Sequence, residues 1–424
     1  AIAFEKQIGV HKTISAMFGS SLMLFFVLQP PRHENAGMFA NTYSFYVDFN
    51  VIFLLAGMMM IVNLLRETGA FQYLAIKCAK VGRGRPLPVL ALLLFTTALL
   101  SAFLDNVTTV LLIAPVTLLV AQQLKLDPVS FLIPEALASN IGGTATLIGD
   151  PPNILIGSFA KLDFLAFLHA LTPFILLVMA FFVGVLAVLL RGKMRVTSEE
   201  RAQIMDLNER RVITDATLLK KSLVVMAFTL AGFLLHGFFH IEPGVVAMGG
   251  AALLLLVTRA NVARALEEVE WPTLFFFLGL FIVVSGAVQV GLISAITEKV
   301  FALTAGSPAR AAVLVLWVSG LCAGLMNNIS FVAAALPVVG SLASGLHLDG
   351  ARAEPLWWAL ALGACLGGNL TPVGAAANLV ICDISGKNGY PISFGRFFRW
   401  GLPCALGSLL LSTFYILFLV HRAG

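Results

Sequence analysis

Asn140-Ile-Gly-Gly-Thr-Ala-Thr-Leu-Ile-Gly-Asp-Pro-Pro-Asn153 decides how this chain folds. The stretch interrupts a long apolar run, yet it is built from Gly, Thr, Pro, Asn and one Asp. Pro151 and Pro152 remove two backbone donors, and the glycines supply no stabilising side chain, so a helix has to break here. At membrane depth a break is tolerated only where the freed amides and carbonyls line a cavity or are covered by protein. Interrupted helices of this kind point to the binding site of a transporter. The plainer alternative, a Gly-rich loop between two helices, loses ground because the stretch recurs.

The second copy is Gly367-Gly368-Asn369-Leu-Thr371-Pro372-Val-Gly374-Ala-Ala-Ala-Asn378, which matches Gly142 to Asn153 at an offset of 225. Upstream the offset is 222. Asp105-Asn106-Val-Thr108-Thr109 aligns with Asn327-Asn328-Ile-Ser330-Phe331, Gly57 with Gly279, Gly69 with Gly291, Pro86 with Pro308 and Pro115 with Pro337. The chain is an internal duplication.

Composition sets the class. Of 424 residues, 59% are hydrophobic and 12% charged, against roughly 25% charged in soluble domains. This is an all-α polytopic membrane protein, and its net charge of +5 reads as loop bias rather than nucleic-acid binding. The five cysteines form no CxxC pair and indicate neither a disulfide framework nor a zinc site. No cleavable signal peptide is expected, and the sequence opens at Ala1 without an initiator Met.

Spans of about 20 apolar residues fall near 13–29, 49–65, 131–160 (broken), 164–190, 219–236, 243–258, 271–290, 356–382 (broken) and 401–420. Two further pairs, 87–121 and 309–345, read as re-entrant hairpins tipped by Asp105-Asn106 and Asn327-Asn328. Residues 1–190 form a first repeat, 191–218 a cytoplasmic linker and 219–424 a second repeat. With the N-terminus inside and the C-terminus outside, 21 of the 27 Lys and Arg fall in cytoplasmic segments, as the positive-inside rule requires. The layout makes the two repeats inverted. Segment 66–85 reads as an interfacial helix, and 191–221 as a solvated linker with a surface helix.

Each hairpin tip is expected to face the broken helix of its own repeat. Half-helix ends present free N–H and C=O groups, and Asn and Thr supply both donors and acceptors. The binding residues are Asn106, Thr108, Thr109, Asn140, Gly143, Thr144, Thr146 and Asn153 in the first repeat. The second contributes Asn327, Asn328, Ser330, Asn369, Thr371 and Asn378. Asp105 and Asp150 are the coupling carboxylates, because their counterparts are Asn327 and Ala375. Each also has a structural reading as a helix N-cap. Glu135 ranks third, as a first-turn acid beside Pro134. His236 and His240 lack a neighbouring acid and make no metal site; His169 reads as a core residue. Cys322 and Cys365 suit small buried hydrophobes better than thiol ligands. Neither a metal nor a cofactor is expected.

These motifs, together with Glu270-Trp271-Pro272 and Met326-Asn327-Asn328, resemble the arsenite permease, NhaD-type antiporter and P-protein family of the ion transporter superfamily over nearly the whole chain. The resemblance implies inverted repeats, a transport domain moving elevator-like against a scaffold, a cytoplasmic-membrane location, and relatives that are often dimers. It leaves room for a cytoplasmic ATPase subunit on the loops. Dicarboxylate-carrying relatives use Ser-Asn-Thr at each tip, which this chain lacks. The function so implied is proton-coupled efflux of trivalent arsenic or antimony, with sodium/proton antiport as the alternative. A channel has no need of two unlike broken-helix sites, and an intramembrane enzyme would need a nucleophile–base constellation that is not visible.

Overall fold

The computed structural model describes residues 11–28, 46–192, 194–206, 208–304 and 306–423, and every regular element among them is a helix. Helices α1 (Lys12–Phe26), α2 (Phe49–Glu67) and α3 (Ala70–Val81) precede a hairpin of α4 (Pro86–Phe103) and α5 (Asn106–Gln123). Then come α6 (Val129–Gly143), α7 (Pro151–Ala160), α8 (Phe164–Ala170) and α9 (Thr172–Leu190). The linker holds α10 (Ser198–Asp206), followed by α11 (Ala216–Phe239), α12 (Pro243–Thr258) and α13 (Val262–Glu267). The chain closes with α14 (Trp271–Gln289), α15 (Leu292–Thr304), α16 (Pro308–Leu325), α17 (Asn328–Gly345), α18 (Glu354–Gly367), α19 (Ala376–Lys387) and α20 (Phe394–Ala423).

The duplication is visible in where helices begin. Helices α14 to α17 each start 222 residues after α2 to α5, and α18 and α19 start 225 residues after α6 and α7. The turns agree as well: Gly69 and Gly291 adopt φ of +77° and +76°, a left-handed conformation that glycine reaches without a Cβ clash. Packing repeats with the copies exchanged. Gly57 of α2 lies against the Ala247 backbone of α12, and Gly279 of α14 lies against the Ala16 backbone of α1. No helix of residues 11–190 matches α11 at either offset.

Among the described residues nine helices are long and apolar enough to cross a membrane. They are not the nine expected. Four of them are the hairpin arms, 18 residues each, whereas α1 and α12 fall a few residues short. The expected span 164–190 is two helices parted at Leu171, and α8 bends back by 115° from α7. Asp163 starts α8 by accepting the Ala166 N–H at 2.8 Å. Pro134 does not open the broken span but lies inside α6. His169 is exposed rather than in the core. Arg32 lies outside the described residues.

Segment 66–85 forms α3, with Phe71, Ala75, Ile76 and Ala79 buried and Lys80 paired with Glu209 of the linker at 2.8 Å. The linker helix α10 starts with a capping box. Thr197 N–H donates to Glu200 Oε2 at 2.8 Å, and Glu200 N–H returns a bond to the Thr197 hydroxyl. That backbone donor, helped by Lys125, holds the Glu200 carboxyl below the usual range.

The two broken helices form the core: every residue of α6 except Ser130, and every residue of α18 except Glu354, is buried. Glycine permits the closest approaches. A Cβ on Gly142 would stand 2.1 Å from the Ala98 carbonyl oxygen of α4, and one on Gly367 would stand 2.3 Å from the Gly320 backbone of α16. Each broken helix is therefore locked to one arm of its own hairpin.

Candidate functional site

Both breaks are held open by the same three devices. First, the chain folds back on paired glycines: Gly143 meets Gly149, and Gly368 meets Gly374. Second, an asparagine one turn into the following half-helix clasps the unwound carbonyls. Asn153 Nδ2 donates to Thr144 O at 3.1 Å and Thr146 O at 2.8 Å, while Asn378 Nδ2 donates to Gly368 O and Thr371 O, both at 2.9 Å. Third, a threonine hydroxyl ties the loop to the hairpin: Thr146 to Ala102 O, and Thr371 to Gly324 O at 2.6 Å. Thr144 bonds Asn140 O within its own helix. Buried carbonyls left without donors would be costly, so these side chains are committed to shaping the break.

The breaks then join one another, which goes beyond tips facing their own repeat. Asn140 is the junction. It accepts from Asn106 Nδ2 of the first tip at 3.0 Å and donates to Asn369 Oδ1 at 2.8 Å and Asn378 Oδ1 at 2.9 Å of the second repeat. By the offset of 225 its counterpart is Cys365, whose Sγ reaches Asn153 Oδ1 of the first repeat at 3.6 Å. The second tip faces its own break, Asn328 N–H donating to Gly374 O at 3.0 Å, and also crosses over, its side-chain amide lying 3.4 Å from Asp150 Oδ2 of the first repeat. One merged cluster replaces two separate sites.

The remaining predicted residues stand at helix starts. Asp105 caps α5, accepting the Thr108 N–H at 2.9 Å and the Thr108 hydroxyl, while Thr109 bonds Asp105 O. Asn327 caps α17 through the Ile329 N–H at 3.1 Å. Asp150 precedes α7 but makes no side-chain cap. The reason is local: Pro152 removes the N–H of the second helical position, and that of the third, Asn153, donates to the Asp150 carbonyl at 2.9 Å. Asp150 is fully buried, and its Oδ1 has no partner among the described residues; the same holds for Ser330 Oγ. Glu135 is likewise buried rather than a surface first-turn acid.

Four helix N-termini (α5, α7, α17, α19) thus converge on the centre, each with partial positive charge. Carboxylates stand at the two from the first repeat only. Ser139 was not foreseen: its hydroxyl bonds Asn106 O at 3.0 Å and Ser101 Oγ at 3.2 Å. Its place directly before Asn140 was the available signal. His236 is satisfied structurally, accepting the Phe164 N–H and bonding Ile241 O.

On the face opposite the linker, a crevice separates α2, α11 and α14 from α7 and α17. It comprises two adjoining cavities of about 390 and 330 Å³ that share Ser158 and Lys161. One is walled by Ala333, Leu336 and Pro337 of α17, and the other reaches Leu147 inside the first break.

Two like helical halves with paired breaks around a buried polar centre suit a membrane transporter. Residues 1–363 match the model of the citrate transporter family, CitMHS, and the chain belongs to that family. It is 43% identical over 407 residues to the 46 kDa membrane protein of Mycobacterium leprae, covering 96% of this chain and 94% of that protein. It is 45% identical over 370 residues to an uncharacterized transporter of Mycobacterium tuberculosis, covering 87% and 86%. The human P protein is 33% identical over 485 residues, spanning 96% of this chain and 57% of that protein. In fold the chain is similar to the Alcanivorax borkumensis YdaH transporter, with a TM-score of 0.63 at 15% identity over 97% and 98% of the two chains.

Proposed function

We propose that this membrane transporter exports a small uncharged hydroxide of trivalent arsenic or antimony across the cytoplasmic membrane in exchange for inward-moving protons. One observation carries the reading: the centre gathers six asparagine amides and two carboxylates, with no Lys or Arg among its hydrogen-bonding partners. Like charges that lose their water repel strongly, so the polyanion in the family's name is a poor cargo for this chain. A neutral hydroxide offers O–H donors to the break carbonyls. Its lone pairs find the N-termini of α17 and α19, which no acid occupies. Asp105 and Asp150 then exchange protons as the centre turns from one side of the membrane to the other. In this reading both hairpins are re-entrant, the linker is cytoplasmic and the transport domain moves elevator-like within a dimer.

A second reading, sodium/proton antiport, draws support from the unpartnered Asp150 Oδ1 beside Asn328, an oxygen free to ligate a cation. Everted membrane vesicles under an imposed pH gradient separate the two. Arsenite accumulation without sodium movement supports the first reading. Sodium-dependent collapse of the gradient without arsenite flux supports the second.

A further inference from the structure

Helix α6 carries a carboxyl that neither the central cluster nor any helix cap uses. Glu135 is 1% exposed, and neither of its carboxyl oxygens has a hydrogen-bond partner among the described residues. It lies six residues after Val129, beyond the first turn where a helix dipole favours an acid. The Thr117 hydroxyl of α5 is the polar group that acts on it, and that hydroxyl is itself unpartnered.

No counter-charge stands against Glu135. Of the helices packed on α6, the α4, α5 and α9 segments carry no ionisable side chain. Helix α18 carries Glu354 and Cys365, and α19 carries Cys382, Asp383 and Lys387. Helix α20 carries Arg396, Arg399, Cys404, Tyr415, His421 and Arg422. None of these acts on the Glu135 carboxyl. A bare carboxylate is strongly disfavoured in such surroundings, so the neutral acid is the form that fits the site.

Packing does not require an acid here. At the offset of 225 the second repeat has Leu360, which is fully buried. Glu135 thus joins Asp105 and Asp150: each of the three acids stands in the first repeat, opposite Leu360, Asn327 and Ala375 in the second. Five residues separate Glu135 from Asn140, about 8 Å along the helix. They lie toward the linker, which touches that end of α6 through Lys125 and Glu200 at 3.7 Å.

We propose that Glu135, with the Thr117 hydroxyl beside it, is a third proton-exchanging carboxyl serving the linker side of the central site. When that side of α6 becomes wet, the Glu135 O–H bond breaks. The proton passes to water and the electron pair stays on the carboxylate. A proton arriving by water from the centre restores the acid. The proposal rests on the proton-coupled reading above.

The test uses the full chain in proteoliposomes, with infrared difference spectra between acidic and alkaline buffer. Expected is a carboxylic-acid C=O band that titrates, shifts in D2O, and is missing in Glu135→Gln. Flux driven by a pH gradient should be lost in both Glu135→Gln and Glu135→Leu, while downhill arsenite exchange without a pH gradient keeps its KM. The leucine variant carries the side chain the second repeat already packs, so it guards against a merely unfolded glutamine variant. A band unchanged in Glu135→Gln, a band that never titrates, or parental gradient-driven flux in Glu135→Leu overturns the assignment. If the parent chain moves neither arsenite nor sodium, the cargo reading fails, and the infrared band still decides Glu135 by itself.

Discussion

Replacing Asn140 by alanine removes the one side chain that ties the first tip to both breaks. Three hydrogen bonds go: from Asn106 at 3.0 Å, to Asn369 at 2.8 Å and to Asn378 at 2.9 Å. Side-chain hydrogen bonds inside membrane proteins average about 0.6 kcal/mol and reach about 1.7 kcal/mol, so the loss spans about 2 to 5 kcal/mol. The upper half of that range is expected. Asn106 is 3% exposed and Asn369 and Asn378 are fully buried, so the orphaned groups have no water to turn to. Asn140→Asp is the sharper variant. It keeps the volume and the acceptor for Asn106, but sets lone pairs against two acceptor oxygens, and it should destabilise at least as much. Unfolding in mixed micelles of rising denaturing-detergent content, followed by circular dichroism, measures both. A loss below about 1 kcal/mol for the alanine variant would refute the idea that this amide chain holds the two repeats together.

Asp105→Asn should fold normally, because Asn327 caps α17 with the same group, yet lose pH-gradient-driven flux; vesicles with normal driven flux would remove Asp105 from the coupling. Gly142→Ala should prevent α6 from seating on α4, because its Cβ would sit 2.1 Å from Ala98 O, whereas Gly184→Ala, with nothing within 4 Å, should be silent. Size-exclusion profiles and yields of the two variants give the comparison. Glu200 contributes to α10 above its ordinary titration range, because its carboxyl is held low. That contribution is lost as pH falls through the lowered folded value. Limited proteolysis of the linker should therefore accelerate only in acid, and Glu200→Gln should remove the pH dependence.

Much of this architecture is written locally. Pro86, Pro151, Pro243 and Pro308 open helices, and Gly142 to Asn153 breaks one, so the repeats and hairpins are legible wherever such residues recur at a fixed offset. The junction is not legible, because Asn140 pairs with Asn369 and Asn378 more than 220 residues away, and its own repeat counterpart is Cys365. Nothing in the neighbourhood of Asn140 encodes that partner. That Asp105 caps a helix and Asp150 does not was readable in part, since Pro152 removes the N–H of the second helical position that a cap accepts. The depth of Glu135 was hidden by Pro134, which resembles a helix start but lies well inside α6. His169 is exposed because α8 buries the face bearing Phe164 and Phe167, and His169, two residues after Phe167, falls on the other face.

The exchange of first helices between the repeats sets a timetable for synthesis. Thr13 of α1 bonds the Pro272 carbonyl at the start of α14 at 2.8 Å, across 259 residues of chain. At about 5–20 residues per second, α14 follows α1 out of the ribosome by about 13–50 s. Throughout that interval the small-residue face around Ala16, which later meets Gly279, lies open to lipid or to the insertion machinery. Helix α1 thus leaves the ribosome long before it acquires its permanent neighbour, and a nascent chain halted at the linker lacks the surface that would hold it.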